Sequence, residues 1–130
     1  MLLSLGDVQT LLPNASGSGG DGMPTVYEQA WAITCTWPGA GAYVTLSIEG
    51  LVTEAANESV DTGSYGGDER EPVSNLGEQA EYFGSSVFDE TGVDAKSRSF
   101  LVAVTTTHVS PPPSKDTFIP LVRKVLTQLP

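Results

Sequence analysis

One histidine, one cysteine and sixteen carboxylates are the groups best placed to do acid–base, nucleophilic or metal chemistry in these 130 residues. Cys35 alternates with Ile33 and Trp37 on a face that reads as buried, where thiols are inert. His108 closes a run of β-branched residues and reads as a strand-end surface group, so no Cys35–His108 dyad is expected. Gly17-Ser18-Gly19-Gly20-Asp21 superficially matches the nucleophile region of a serine protease, but no strand precedes it and a flexible linker accounts for it better. Zinc needs three or four Cys, His or carboxylate ligands, and one His with one Cys cannot build the usual set. Asp89-Glu90-Thr91-Gly92-Val93-Asp94 offers oxygens to calcium but lacks the alternating spacing and terminal Glu of an EF-hand. It reads as a solvated acidic turn, as do Asp68, Glu69 and Glu71. The chain is therefore read as non-catalytic, with no cofactor and no metal.

Binding is better represented than catalysis. Tyr27, Trp31, Trp37, Tyr43, Tyr82 and Phe83 fall on or near predicted strands and are mostly core. Tyr65 sits in a Gly-rich stretch with little reason to be buried, close to Asp68, Glu69 and Glu71. These four make the predicted contact surface. Asn14 and Asn57 head glycosylation sequons, relevant only in a host that modifies exported chains.

Sixteen acids against six bases leave a net charge of −10. A field of that sign repels phosphate backbones and anionic headgroups, so nucleic acid and a bare membrane are poor partners. No apolar run approaches the ~20 residues that span a bilayer. Met1-Leu2-Leu3-Ser4-Leu5 is too short for a signal core, so any export signal is expected upstream of Met1.

The elements that must carry these groups read as a single α+β domain, 1–130, built on an antiparallel sheet of about four to five strands with an amphipathic helix at each end of the chain packed on it. Leu5, Val8, Leu11 and Leu12 recur at helical spacing behind Ser4 as N-cap, and Pro13 stops the run. A hairpin follows, with Val26–Trp37 and Tyr43–Leu51 as strands and Pro38-Gly39-Ala40-Gly41 as turn. Glu54–Val60 reads as a short helix, and loops are expected near 15–24 and 61–71. Glu81-Tyr82-Phe83 reads as a strand, Ser86-Val87-Phe88 as a short one, and Asp89–Lys96 as a turn. Arg98–Val109 is apolar on both faces, which predicts a central strand. Phe118, Leu121, Val122, Val125, Leu126 and Leu129 form one stripe of a closing helix, with Thr117 as N-cap and Pro120 in the first turn.

Three segments carry a resemblance. Leu2-Leu3-Ser4-Leu5-Gly6-Asp7-Val8, Cys35-Thr36-Trp37 and Val73-Ser74-Asn75-Leu76-Gly77-Glu78-Gln79-Ala80 resemble the opening, the internal C-x-W and the V-x-G-L-G-(D/E)-x-A segment of a family of actinobacterial secreted lipoproteins classed only as a domain of unknown function. The resemblance implies an extracytoplasmic domain, secreted or anchored by a lipid upstream of Met1. It also implies a disulfide between Cys35 and a cysteine just before the first helix, which would then lie upstream of Leu2.

Three readings of function follow, all on a monomer. The first is a non-catalytic cell-envelope domain that binds a small molecule or an envelope protein. The second is an accessory or inhibitor domain of an extracellular enzyme, presenting Asp68–Glu71 to a basic cleft. The third is a hydrolase whose site only the fold would assemble. A closed apolar pocket under a helix would favour the small molecule, an exposed aromatic patch a protein partner, and paired raised carboxyls in one cleft an enzyme.

Overall fold

The computed structural model describes residues 2–17, 25–26, 30–51, 69–98 and 100–129, and of 25, 26, 30, 31, 51 and 69 the backbone alone. Its elements are α1 (Leu5–Gln9), β1 (Thr25–Val26), β2 (Ala30–Gly39), β3 (Ala42–Leu51), β4 (Glu69–Pro72), β5 (Gln79–Ser85), β6 (Glu90–Ser97), β7 (Phe100–Thr107) and α2 (Lys115–Gln128). The strands form one sheet in the order β1-β2-β3-β7-β6-β5-β4, every neighbouring pair antiparallel. Six of them run four residues or longer and β1 only two, so the sheet is wider than expected from sequence.

The extra width comes largely from β6. Glu90–Ser97 contains Gly, Asp and Lys and has weak strand propensity alone, yet it is zipped between β5 and β7 over its whole length. Pairing on both sides and burial of Val93, Asp94 and Ala95 override the local preference. The turn expected over Asp89–Lys96 is therefore a strand. The turn itself is Ser86–Asp89, where a short strand was expected, and Asp89 closes it at a left-handed φ of 51°. At the other edge, the strand expected over Val26–Trp37 divides: β1 folds back so that Thr25 faces Ala32. Pro38 and Gly39 stay in β2, and the hairpin turns on Ala40-Gly41, both at positive φ as a two-residue turn of this kind requires. The loop expected over 61–71 stops short at its end, because Glu69–Pro72 is β4. The helix expected at Glu54–Val60 lies outside the described residues.

Arg98–Val109 was expected to be central, and β7 is the fourth of seven strands. Register places Trp37, Val44, Leu46, Ile48, Ala80, Val93, Ala95, Val102 and Val104 on one face, all buried. The helix α2 lies over β6 and β7 on this face and buries Phe118, Leu121, Val122 and Val125. Its N-cap is Ser114 rather than Thr117, so Pro120 sits inside the second turn and cannot donate to the Asp116 carbonyl. At the other terminus Ser4 and Asp7 form a reciprocal capping box. Leu3, Val8, Leu11 and Leu12 enter the same core, while Leu5, expected in that stripe, is 36% exposed. Lys124 pairs with Asp7 and Gln128 donates to the Leu2 carbonyl, which ties the two helices together.

The other face is polar at β2 and β3, where Thr34 and Thr36 are exposed, but buries Phe83, Asp94, Leu101 and Ala103. Gly92 makes this packing possible. A Cβ there would lie 2.5 Å from the Val104 carbonyl oxygen and 3.0 Å from Cζ of Phe83, whose ring occupies the space a side chain would need. Gly92→Ala is expected to cost about 1–3 kcal/mol, the range of an overpacked core. A urea midpoint equal to that of the wild type would show that β6 can shift to relieve the clash.

Candidate functional site

A groove of about 510 Å³ opens at the end of the sheet where β5 turns into β6. Strands β4, β5 and β6 contribute Arg70, Glu71, Tyr82, Gly84, Ser85, Glu90 and Thr91, and Pro112 closes it from the segment leading into α2. Gly84 leaves room at its floor, since a Cβ there would find only the Glu90 carbonyl oxygen, 3.9 Å away. Tyr82 is fixed as a wall: its hydroxyl donates to the Pro113 carbonyl at 2.9 Å and its ring leans on Phe118, centroids 6.2 Å apart. Burial pushes the Tyr82 phenol above its ordinary value, with Glu71 adding in the same direction.

The rim is acidic but largely compensated. Glu71 accepts from Lys115 at 2.7 Å, and Asp89 lies 3.2 Å from Nδ1 of His108. At the β4 side Arg70 spans two carboxylates, Glu81 at 2.6 Å and Asp94 at 3.5 Å, and its guanidinium lies over the Phe83 ring, 5.3 Å from the centroid. Asp94 is fully buried, and neither of its oxygens accepts a hydrogen bond of ordinary geometry. Burial raises its carboxyl from 3.8 up to about 7; Arg70 opposes that shift and Glu81 adds to it. Arg70 lines the groove, while Glu81 and Asp94 lie outside its lining.

Beside the groove the surface is apolar. Val87 is 77% and Phe88 63% exposed, both in the Ser86–Asp89 turn. Tyr43, also exposed, meets the His108 ring edge-on at 6.4 Å at this same end of the sheet. Among the described residues only Leu5 otherwise exposes a large apolar side chain.

The predicted site residues fare unequally. Tyr65 and Asp68 lie outside the described residues, and of Glu69 only the backbone, in β4, is described. Glu71 lines the groove. Cys35 is a free, half-buried thiol packed against the core on the face covered by α2. It is separated from His108, which lies four residues beyond Val104 of the Cys35 cross-strand row, on the order of 13 Å along the strand. Asp89 and Asp94, grouped in sequence as one acidic turn, occupy a surface turn and a buried strand, and no cluster able to hold a metal occurs among the described residues. Sequence reasoning missed Arg70, Asp94, Val87 and Phe88. The pair Val87-Phe88 had a signal, an apolar dipeptide between Ser-Ser and Asp-Glu, but it was assigned to a strand. Arg70 and Asp94 had none, being 24 residues apart and joined only through strand register. No helix among the described residues is long and apolar enough to cross a membrane. No family model, curated protein or solved structure matches the chain.

Proposed function

We propose that this domain is a non-catalytic binding module that docks a protein partner at the β5–β6 end of its sheet. The observation that carries the reading is the exposure of Val87 and Phe88 on a tight turn at the lip of the groove. A soluble fold gains nothing by holding an aromatic ring out in water, whereas an interface anchor needs that placement. Asp89, Glu90 and Ser86 supply the polar rim around it. With a net charge of −10, the partner's docking surface is basic, and its association rate should fall with salt.

A small-molecule role is less well supported, because Phe118, Val122 and Val125 fill the middle of the interface between α2 and the sheet and leave a cleft of about 220 Å³ at its end, among Ser97, Arg98, Phe100, Leu126, Thr127 and Leu129. The same surface suits an accessory or inhibitor domain, with Phe88 inserted into a cleft of an extracellular enzyme. An envelope location outside the membrane rests on the motif resemblance.

The test is capture from the native envelope fraction, comparing wild type with the Val87→Ser/Phe88→Ala double variant. Partner affinity should drop at least about tenfold, as for an interface hot spot. Stability should change by no more than about 0.5 kcal/mol per site, as for surface positions. Equal capture by both proteins would remove this turn as the docking site.

A further inference from the structure

Arg70 belongs to two structures at once. It forms part of the groove wall, and it reaches inward across the sheet to a carboxylate that has no other partner among the described residues. Register explains the geometry. Arg70 on β4 stands opposite Phe83 on β5, which stands opposite Gly92 on β6. Glu81 and Asp94 are paired in the adjacent same-face row, two residues along. The missing side chain at Gly92 lets the Phe83 ring lie flat in that row, and the guanidinium rests on the ring between the two acids.

Two carboxylates thus share one cation, and they do not share it equally. Glu81 holds a short contact of 2.6 Å and is part-exposed; Asp94 stands off at 3.5 Å with no exposure. Leaving an ionised carboxylate in that position without hydrogen bonds or a close cation costs far more than leaving a neutral one so. A guanidinium 3.5 Å away, with Glu81 nearer to it, compensates a charge on Asp94 poorly, so the geometry favours the neutral form. On ionisation the strongest available compensation is a closer approach by Arg70, toward the centre of the sheet.

We propose that Arg70, Glu81 and Asp94 form a proton-operated latch on the groove: with Asp94 neutral the guanidinium is held by Glu81 at the wall, and with Asp94 charged it is drawn inward and the wall is reshaped. The latch goes beyond the docking role and does not depend on Phe88 binding a partner. The other groups on this face are consistent with it. β7 presents Leu101, Ala103 and Thr105 beside Asp94, none of them titratable, while Lys96 on β6 and Glu49 on β3 share the face one row further along. The raised Asp94 carboxyl, at about 7, places the switch near neutrality.

The test is a pH titration of the isotopically labelled chain by NMR from pH 4 to 9, following the Asp94 carboxyl carbon, the Arg70 side-chain Nε–H and the amides of Ser85, Ser86 and Thr91. All should move together with one midpoint near 7 in the wild type. The groove amides and Arg70 should keep that midpoint in His108→Gln, which removes the imidazole paired with Asp89, and lose it in Asp94→Asn. Glu81→Gln should lower the midpoint, because one negative neighbour is gone. The latch is overturned if the Asp94 carbon titrates in the ordinary carboxylate range. It is equally overturned if the groove shifts vanish with His108→Gln or persist in Asp94→Asn. The carboxyl carbon needs no variant, so a poorly folding substitution cannot leave the matter open.

Discussion

Asp94→Asn is expected to raise the thermal midpoint at pH 8 by about 5–10 °C while leaving it nearly unchanged at pH 4. The sign follows from linkage. Burial raises the folded-state carboxyl from 3.8 to about 7, so between those values the native chain holds a proton that the unfolded chain has lost. Stability contributed at this site is fully present below about pH 4, falls as pH rises toward 7, and is flat above. At roughly 1.4 kcal/mol per pH unit the ceiling is about 4 kcal/mol. Asparagine keeps the shape and removes the charge, so it abolishes the decline rather than merely offsetting it. Asp7 runs the opposite way. Its partial burial pushes its carboxyl up, but Lys124 and the Ser4 cap outweigh that and hold it below its ordinary value. Stability from Asp7 is present above that ordinary value and is lost as pH falls through the lowered one, so wild-type melting alone mixes two trends. The difference between wild type and Asp94→Asn, measured by calorimetry across pH 4–9, isolates the buried group. A variant less stable than wild type at pH 8 would mean that the Arg70 ion pair is worth more than the desolvation of Asp94.

Phe118→Ala should destabilise the domain at every pH. Phe118 is fully buried at the start of the α2 stripe, and its ring supports Tyr82. Removing it deletes a large apolar volume beneath a helix turn whose backbone ladder already lacks one donor at Pro120. The expected cost is about 3–5 kcal/mol, a large share of the roughly 5–15 kcal/mol that holds a domain of this kind. Tyr82 also anchors Pro113, so the groove wall should loosen with it. Chemical denaturation would read the loss as a lower midpoint at an unchanged slope. A cost below about 1 kcal/mol would mean that neighbouring side chains collapse into the space.

The segments Leu2–Val8, Cys35–Trp37 and Val73–Ala80 supply core and capping residues. Leu3 and Val8 of the opening, Trp37 of C-x-W, and Leu76 and Ala80 of the third segment are all buried, and Ser4 and Asp7 are a capping box. Gly77 in the third segment is at φ 63°, and a Cβ there would sit 2.6 Å from the Lys96 carbonyl oxygen. These residues are spent on making the domain. None of them lines the groove or the Val87–Phe88 turn.

Amphipathic period and capping chemistry are local, and they alone determined α2, the Ser4–Asp7 cap, the β2–β3 hairpin and the two-faced strand β7. Each is contained in one contiguous stretch of the chain, the longest being the hairpin from Ala30 to Leu51. Tertiary structure decided the rest. Strand β6 exists because β5 and β7 pair with both its edges, which no window over Glu90–Ser97 contains. The position of Pro120 was set by where Ser114 ends the extended segment, not by the stripe it interrupts. The site residues are the extreme case: Arg70, Glu81 and Asp94 meet across three strands, and a two-residue change in register would separate them. Asp94 illustrates the reason. In sequence it is one more acid in an acidic run, and only burial on the far side of the sheet turns it into a group that titrates near neutrality. Among the described residues Cys35 and His108 lie apart on the sheet, and the fold instead gathers Arg70, Glu81 and Asp94, because strand pairing joins positions that no local window contains.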